Sequence, residues 1–253
     1  LRDQLREAAA ESLFSDIEMR LASILGEMEQ AWIAVDTRRL DEIGDKLQGM
    51  IAELERKIHG AVGTAFNIAS PKQVGEVLFE RLGLPGGKKT KTGWSTAAGV
   101  LEELAVENEV PRLILEHREY AKLKSTYVDA LIEQTEADGR IRTTLEQTVA
   151  ATGRLSSRNP NLQNIPIRTD WGREIRSCFV SGSDDDVLLA ADYSQIELRI
   201  LAHMSQDESL LAAFRAGEDI HARTAAAIFA TPIADVTRDM RRAAKTVNYA
   251  VMY

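Results

Sequence analysis

The chain has 253 residues, 44% hydrophobic and 28% charged, with 31 Lys and Arg against 39 Asp and Glu for a net charge of −8; it is long enough for one large or two modest domains with real cores. No run of about 18 apolar residues exists, which excludes a membrane-spanning helix, and the charged start LRDQLREAAAESLF lacks the apolar centre of a signal peptide. The single cysteine, Cys178, excludes an internal disulfide framework and fits a reducing cytoplasm, while His59, His117, His203 and His221 show no metal-ligand spacing.

In chain order, Leu13, Ile17, Leu21, Ile24 and Met28 recur at three- and four-residue spacing and predict an amphipathic helix over 1–30. AWIAVD follows with extended character. Asp36 is placed to cap a helix running to about 58, with Leu40, Ile43, Leu47, Ile51 and Leu54 on one face. Ser70-Pro71-Lys72-Gln73 reads as a capping box opening a helix to about Leu82. Ser95 or Thr96 caps another over 97–106, and a further helix covers 111–132. Near Asp138-Gly139 the pattern changes. RIRTTLEQTVA alternates like a strand, NPNLQNIPIR is an irregular proline-bounded loop, and IRSCFVS and DVLLAADY read as strands, the second apolar enough to be buried on both faces. A helix is expected from Ser194 to about Ser205, then more helix over 207–253 with a break at Thr231-Pro232. The organisation is a helical module, a small sheet module, and a second helical module.

Net charge argues mildly against nucleic acid as partner, because phosphate binding leaves a basic footprint. The footprint is local instead: the run 81–94 carries Arg81, Lys88, Lys89 and Lys91 without an acid, and RRAAK is basic too. Four segments have the residue types for chemistry. In VLLAADYSQIELRILAH, Asp192 sits between the predicted strand and helix, placed either to meet a metal or to cap the helix, and Glu197 lies among apolar helix positions where a carboxylate needs a partner or a ligand. In DMRRAAKTVNYAVMY, Arg241, Lys245, Tyr249 and Tyr253 recur every four residues, forming a stripe of two cations and two aromatics. Such a stripe suits a polyphosphate and a base or sugar, or else a solvated face running into core aromatics. In ATGRLSSRNPNLQNIPIR, Arg154, Asn161, Gln163 and Asn164 suit the acceptors of the minor groove, or bond their own backbone. KLKSTYVDAL and the lysine loop over 88–91 suit backbone phosphates, or are solvated lysines.

Together these segments resemble the family A DNA polymerases, the bacterial DNA polymerase I group. ATGRLSS, PNLQNIPIR, DYSQIELRILAH, GEDIH and RRAAKTVNY stand in the family's order and at family-like spacing, and FNIASPKQVGEVLFERLGLP and LKSTYVDAL look like thumb helices. The resemblance implies an α+β right-hand architecture: a helical thumb over 31–135, a partial palm sheet with 1–30 and 136–198, and incomplete helical fingers over 199–253. It implies template-directed addition of deoxynucleotides to a primer, with two Mg2+ ions held by Asp192 and the carbonyl of Tyr193. Catalytic roles fall to Asp192 and Lys245. Nucleotide binding falls to Gln195, Glu197 (a gate against a ribose 2′-hydroxyl), His221, Arg241, Lys245 and Tyr249. DNA binding falls to Lys124, Ser125, Arg154, Asn161, Gln163, Asn164 and Tyr253. The implied partners are primer-template DNA and deoxynucleoside triphosphates, with no membrane, and the expected state is a cytoplasmic monomer. Family members usually carry Phe-Gly where this chain has Tyr249-Ala250, and often proline where it has Arg20. The sequence stops at Tyr253, ahead of the family's His-Asp-Glu segment, so these residues alone are expected to be inactive. Two other readings are a DNA-holding module without catalysis and a single-subunit RNA polymerase relative.

Overall fold

One left-handed residue interrupts the first helical pattern. The computed structural model describes residues 1–90, 93–167 and 169–252. In it, the helix expected over 1–30 is divided into α1 (Arg2–Glu7) and α2 (Met19–Ala31), the second entered through a π-helical turn at Leu13–Glu18. Ala9 takes φ 52°; its N–H donates to the Arg6 carbonyl (3.0 Å) and that of Ala10 to the Leu5 carbonyl (2.9 Å), which closes α1. The apolar stripe is largely uncovered: Leu25 is buried, but Leu13, Ile17, Ile24 and Met28 are between 41% and 56% exposed, since the described elements cover only the side carrying Leu25.

The next elements follow their capping and spacing signals. After β1 (Ile33–Val35), Asp36 accepts from the Arg39 N–H (3.0 Å) and opens α3 (Thr37–Val62), whose apolar face is buried along its whole length. Ser70 caps α4 (Pro71–Gly75), which continues as a π-helical stretch, Glu76–Arg81. The expected capping box is only half formed: Gln73 Oε1 accepts from the Asn67 N–H (2.7 Å), while the Ser70 N–H donates to the Asn67 carbonyl. A short hairpin pairs β2 (Lys89–Thr90) with β3 (Gly93–Trp94); Lys91 of the lysine loop lies outside the described residues. α5 (Ala98–Ala105) is preceded by Ala97 with no side-chain cap. Thr96 does not cap it because its hydroxyl and carbonyl accept from Arg118 (3.2 and 2.6 Å). α6 (Glu109–Lys122) runs through a π-helical stretch, Leu123–Asp129, into α7 (Ala130–Glu133). The C-terminal half of α3 packs with α5 and α6 around Leu78, Leu101 and Ile114, and its N-terminal half with the Leu123–Asp129 stretch around Leu40, Leu47 and Val128.

The sheet content is smaller than the sequence suggests. β4 (Arg140–Ile141), β5 (Thr144–Glu146), β6 (Ser156–Arg158) and β7 (Phe179–Val180) join β1 in two antiparallel groups, β4-β1-β7 and β5-β6. The single strand expected over RIRTTLEQTVA therefore serves two sheets. IRSCFVS is strand only at Phe179–Val180, because α8 (Asp170–Arg176), capped by Thr169, takes its first two residues. The buried strand expected over DVLLAADY does not form: residues 186–193 are in no regular element, and Val187 and Leu189 are 87% and 90% exposed. A strand apolar on both faces needs neighbours on both edges and layers on both faces. Among the described residues none pairs with it.

The chain divides into two compact units, residues 1–188 and 189–253. The second contains α9 (Ile196–Ser205), α10 (Glu208–Arg215), α11 (Ile220–Ile228) and α12 (Arg238–Met252), with a 3-10 turn at Ile233–Asp235 after the Thr231-Pro232 break. Its core is small: Leu198, Ala213 and Ile220 with Phe214 against them, and α11 lies along α12 with Ala225 and Ala244 fully buried. Small side chains let those two helices approach closely. No helix among the described residues is long and apolar enough to cross a membrane.

Candidate active site

In the second unit, a pocket of about 370 Å³ collects eight of the residues singled out above. Asp192, Tyr193, Gln195 and Glu197 come from the segment that leads into α9, His221 from α11, and Arg241, Lys245 and Tyr249 from α12. Tyr253 lies outside the described residues.

The turn into α9 starts later than expected, with Gln195 at the N-cap in the left-handed conformation (φ 53°, ψ 37°) and no side-chain cap. Asp192 therefore does not cap the helix, which removes the bland reading of its position. A glutamine held left-handed costs energy that the surrounding structure must supply, and such strain concentrates at functional turns. Arg199 donates from Nε to the Ser194 carbonyl (3.0 Å) and lies over the Phe214 ring at 4.7 Å. It thus clamps the same turn from below.

Asp219 organises the opposite wall. Its Oδ1 accepts from the backbone N–H of His221 (2.9 Å) and Ala222 (3.0 Å), capping α11, and its Oδ2 accepts from Arg241 Nε (2.7 Å). Burial pushes the Asp219 carboxyl up, but Arg241 and the two N–H donors outweigh it and hold the group below its ordinary value. His221 is buried, its Nδ1 is 2.9 Å from Asn248 Nδ2, and its ring centroid is 5.8 Å from that of Tyr249. Lys245 Nζ sits 5.9 Å from the Tyr249 ring centroid. Burial, then Arg241 and Lys245, lower the His221 pKa, with Asp219 opposing. One wall of the pocket thus carries carboxylates and the other carries cations, a pairing suited to an anion that brings its own metal.

Among the described residues no three of His, Cys, Asp or Glu cluster as a closed metal site. The donors present are the hard oxygens of Asp192 and the Tyr193 carbonyl. They fit Mg2+, which binds proteins through one or two carboxylates and keeps water and substrate phosphate oxygens as its other ligands.

In the first unit, a cleft of about 540 Å³ joins Lys122, Thr126 and Tyr127 to Asn159, Asn161 and Asn164 of the proline-bounded loop. Buried hydroxyls hold that loop: those of Thr143 and Ser157 lie 2.7 Å apart and reach the Pro160 carbonyl at 2.6 and 3.0 Å. α8 presses on its end, where a Cβ at Gly172 would come within 2.9 Å of the Pro166 backbone. Asn161 Oδ1 accepts from the Gln163 N–H, and Gln163 Nε2 donates to the Leu155 carbonyl, both at 3.0 Å. Asn161 and Gln163 therefore bond the loop's own backbone, each through one end of its side chain. Arg154 is exposed on the preceding turn. Lys124 is tied to Asp129 (2.8 Å) and Ser125 donates to the Ala121 carbonyl (2.9 Å); the cleft instead receives Lys122 and Thr126, four residues apart on one helical face. That spacing is a signal readable in the sequence, as are Asp219 at a helix start and Asn248 about one turn beyond Lys245. Arg168 lies outside the described residues.

The model of "DNA polymerase family A" matches residues 37–253. The chain belongs to this family. It is 50% identical over 242 residues to DNA polymerase I of Bacillus subtilis, covering 95% of this chain and 28% of that protein. To DNA polymerase I of Lactococcus lactis subsp. lactis it is 52% identical over 251 residues, covering 99% of this chain and again 28% of that protein. It therefore spans less than a third of the length of these curated relatives. Among solved structures it is similar to the POL domain of Pol1 from M. smegmatis in complex with DNA primer-template and dNTP, with a TM-score of 0.87 and 43% identity over 98% of this chain and 44% of that one. That likeness supports the helix-rich α+β fold of a family A polymerase.

Proposed function

We propose that the full-length protein carrying this family A chain is a template-directed DNA polymerase that adds deoxynucleotides to a primer 3′ end. The observation that carries the reading is the convergence of Asp192, Glu197, His221, Arg241, Lys245 and Tyr249 on one pocket. Asp192 and the Tyr193 carbonyl would hold Mg2+, which when bound supplies the charge that activates the primer hydroxyl and stabilises the departing pyrophosphate. Arg241 and Lys245 would neutralise the triphosphate, Arg241 with its Nε fixed on Asp219, which leaves its terminal nitrogens for the ligand. His221 adds a donor, and Tyr249 offers a face to the sugar and base. Glu197 and Gln195 border the sugar, where a carboxylate disfavours an added 2′-hydroxyl.

In this reading residues 31–135 are the thumb, 1–30 and 136–198 belong to the palm, and 199–253 to the fingers. The partners are primer-template DNA and deoxynucleoside triphosphates. The cleft between Lys122 and Asn164 supports a duplex grip through Asn161 and Asn164; Lys124, Ser125, Arg154 and Gln163 would add to it from outside that lining, and Tyr253 would lie near the templating base.

The test is Asp192→Asn in the full-length protein. An amide cannot supply the negative charge that holds Mg2+, so primer extension should fall by more than about a thousandfold, beyond the 10–100-fold typical when a residue behind a metal ligand is lost. Duplex affinity should stay unchanged. Near-normal extension by the variant would remove Asp192 from the chemistry, and a wild-type protein that binds duplex without extending it would support the DNA-holding reading.

A further inference from the structure

We propose that Asn248 is a positioning residue that fixes His221 as its Nε2–H tautomer, so that the pocket offers an anionic nucleotide a neutral hydrogen-bond donor there; this rests on the nucleotide-binding reading above. Asn248 Nδ2 lies 2.9 Å from His221 Nδ1. An amide NH2 has only protons to give, so Nδ1 is the lone-pair end of the ring and the single ring proton sits on Nε2. Nε2 has no partner among the described residues. Nor is it one of the polar atoms sealed from solvent without a partner, which are Trp32 Nε1 and His117 Nδ1. It is the ring atom left for a ligand.

The residue is held by its backbone, by an aromatic neighbour and by burial. Asp219 anchors its backbone N–H, Tyr249 lies 5.8 Å away centroid to centroid, and the residue is only 3% exposed. The surroundings disfavour a second ring proton, since burial, Arg241 and Lys245 all act against it and only Asp219 favours it. With the Asn248 amide turned over, its oxygen would take the Nδ1 proton, and Nε2 would face a phosphate oxygen with a lone pair. Two acceptors would then repel. The side chain of Asn248 therefore decides whether His221 attracts or repels the ligand, without touching it.

The first measurement uses ligand-free full-length protein labelled with 15N at histidine and observed by magic-angle-spinning NMR, with His221 assigned by the signals lost in His221→Gln. The expected spectrum shows an unprotonated Nδ1 and a protonated Nε2, becoming a mixture of tautomers in Asn248→Ala. A protonated Nδ1 in the wild type, or an unchanged spectrum in Asn248→Ala, overturns the proposal. This result stands whether or not the protein extends a primer, so it fails separately from the polymerase reading. The second measurement is deoxynucleoside triphosphate affinity in a double-mutant cycle. Asn248→Ala should weaken binding about fivefold to tenfold, as for one lost oriented hydrogen bond. In the His221→Gln background, where the glutamine amide supplies an N–H with no tautomer to set, the same change should cost less than about twofold. An equal loss in both backgrounds would show that Asn248 acts elsewhere and would sink the idea.

Discussion

The two units are held together by different means. In residues 1–188, α3 threads two apolar cores and buries Leu40, Leu47 and Ile58 completely, and the polar loop with Asn161 is pinned from beneath by two buried hydroxyls. In residues 189–253 the apolar core is a handful of side chains, and the order of the pocket comes from Asp219, Asn248 and Arg199, each bonded to a neighbour that lines the pocket. Burial gives the first unit rigidity regardless of chemistry. In the second the groups that hold the structure also set the charges and donors of the site, so a single polar substitution should alter function before it alters the fold.

The largest expected effect in the first unit is on stability. Ile114 is fully buried where α6 meets α3, and Ile114→Ala should cost about 2–5 kcal/mol for the transferred side chain and the cavity left behind. Amide exchange across α3 and α6 reads it directly. Exchange that stays as slow as in the wild type would break the contrast, because the core would then not be what holds this unit.

The corresponding change in the second unit is Asp219→Asn, which keeps an oxygen for the N–H groups of His221 and Ala222 but removes the charge opposite Arg241. Triphosphate affinity should fall about fivefold to tenfold, the loss of one charge-assisted bond, with helix content unchanged. Asp219→Ala removes the cap as well, and should add about 1 kcal/mol of lost stability at the start of α11. If Asp219→Asn keeps wild-type affinity and only Asp219→Ala loses stability, the carboxylate is only a cap.

Most of this contrast was legible in the sequence, and the exceptions have physical causes. The capping residues Asp36 and Ser70, with the apolar spacing that follows Asp36, place α3 and α4 because those signals are local. The pocket residues were readable because Arg241, Lys245 and Tyr249 share a helical stripe and the family motifs name their partners. The strand over 186–193 was misread because β structure depends on neighbours that a local pattern does not contain. Likewise the stripe from Leu13 to Met28 has a helix's period but no covering surface among the described residues, so periodicity gave the element and not its burial. Asn248 escaped notice because an amide beside aromatic and apolar residues has meaning only once the histidine it meets, 27 positions earlier, is in place.

A smaller effect concerns Tyr249, where family members usually carry phenylalanine. A substrate lacking its 3′-hydroxyl leaves a polar gap beside the sugar, and the tyrosine hydroxyl can fill it with a hydrogen bond worth about 1 kcal/mol. The wild-type full-length protein should accept dideoxynucleotides readily, and Tyr249→Phe should restore about fivefold discrimination against them, the factor that follows from that bond. Competition between a dideoxynucleotide and its normal counterpart measures it. Equal selectivity in the two proteins would show that the hydroxyl compensates nothing.

The smallest effect is a pH dependence confined to the second unit. Folding lowers the His221 pKa from its ordinary 6.5, through burial first and then Arg241 and Lys245, with Asp219 opposing. The unfolded chain therefore takes up the proton at a higher pH than the folded one, so the contribution of neutral His221 is complete above 6.5 and is lost as pH falls through the folded value. Asp219, itself held below its ordinary 3.8, begins to lose its own contribution only at lower pH, so the two titrations separate. Protection of the amides in α11 and α12, measured against the intrinsic exchange rate at each pH from neutral down to about 5, should fall in the wild type more than in His221→Gln, which has nothing to titrate. Over the same range α3 and α6 should change equally in both proteins. If the two proteins follow one pH curve in α11 and α12, His221 is not held neutral by its surroundings, and the view that polar contacts both build this unit and set its chemistry loses one of its supports.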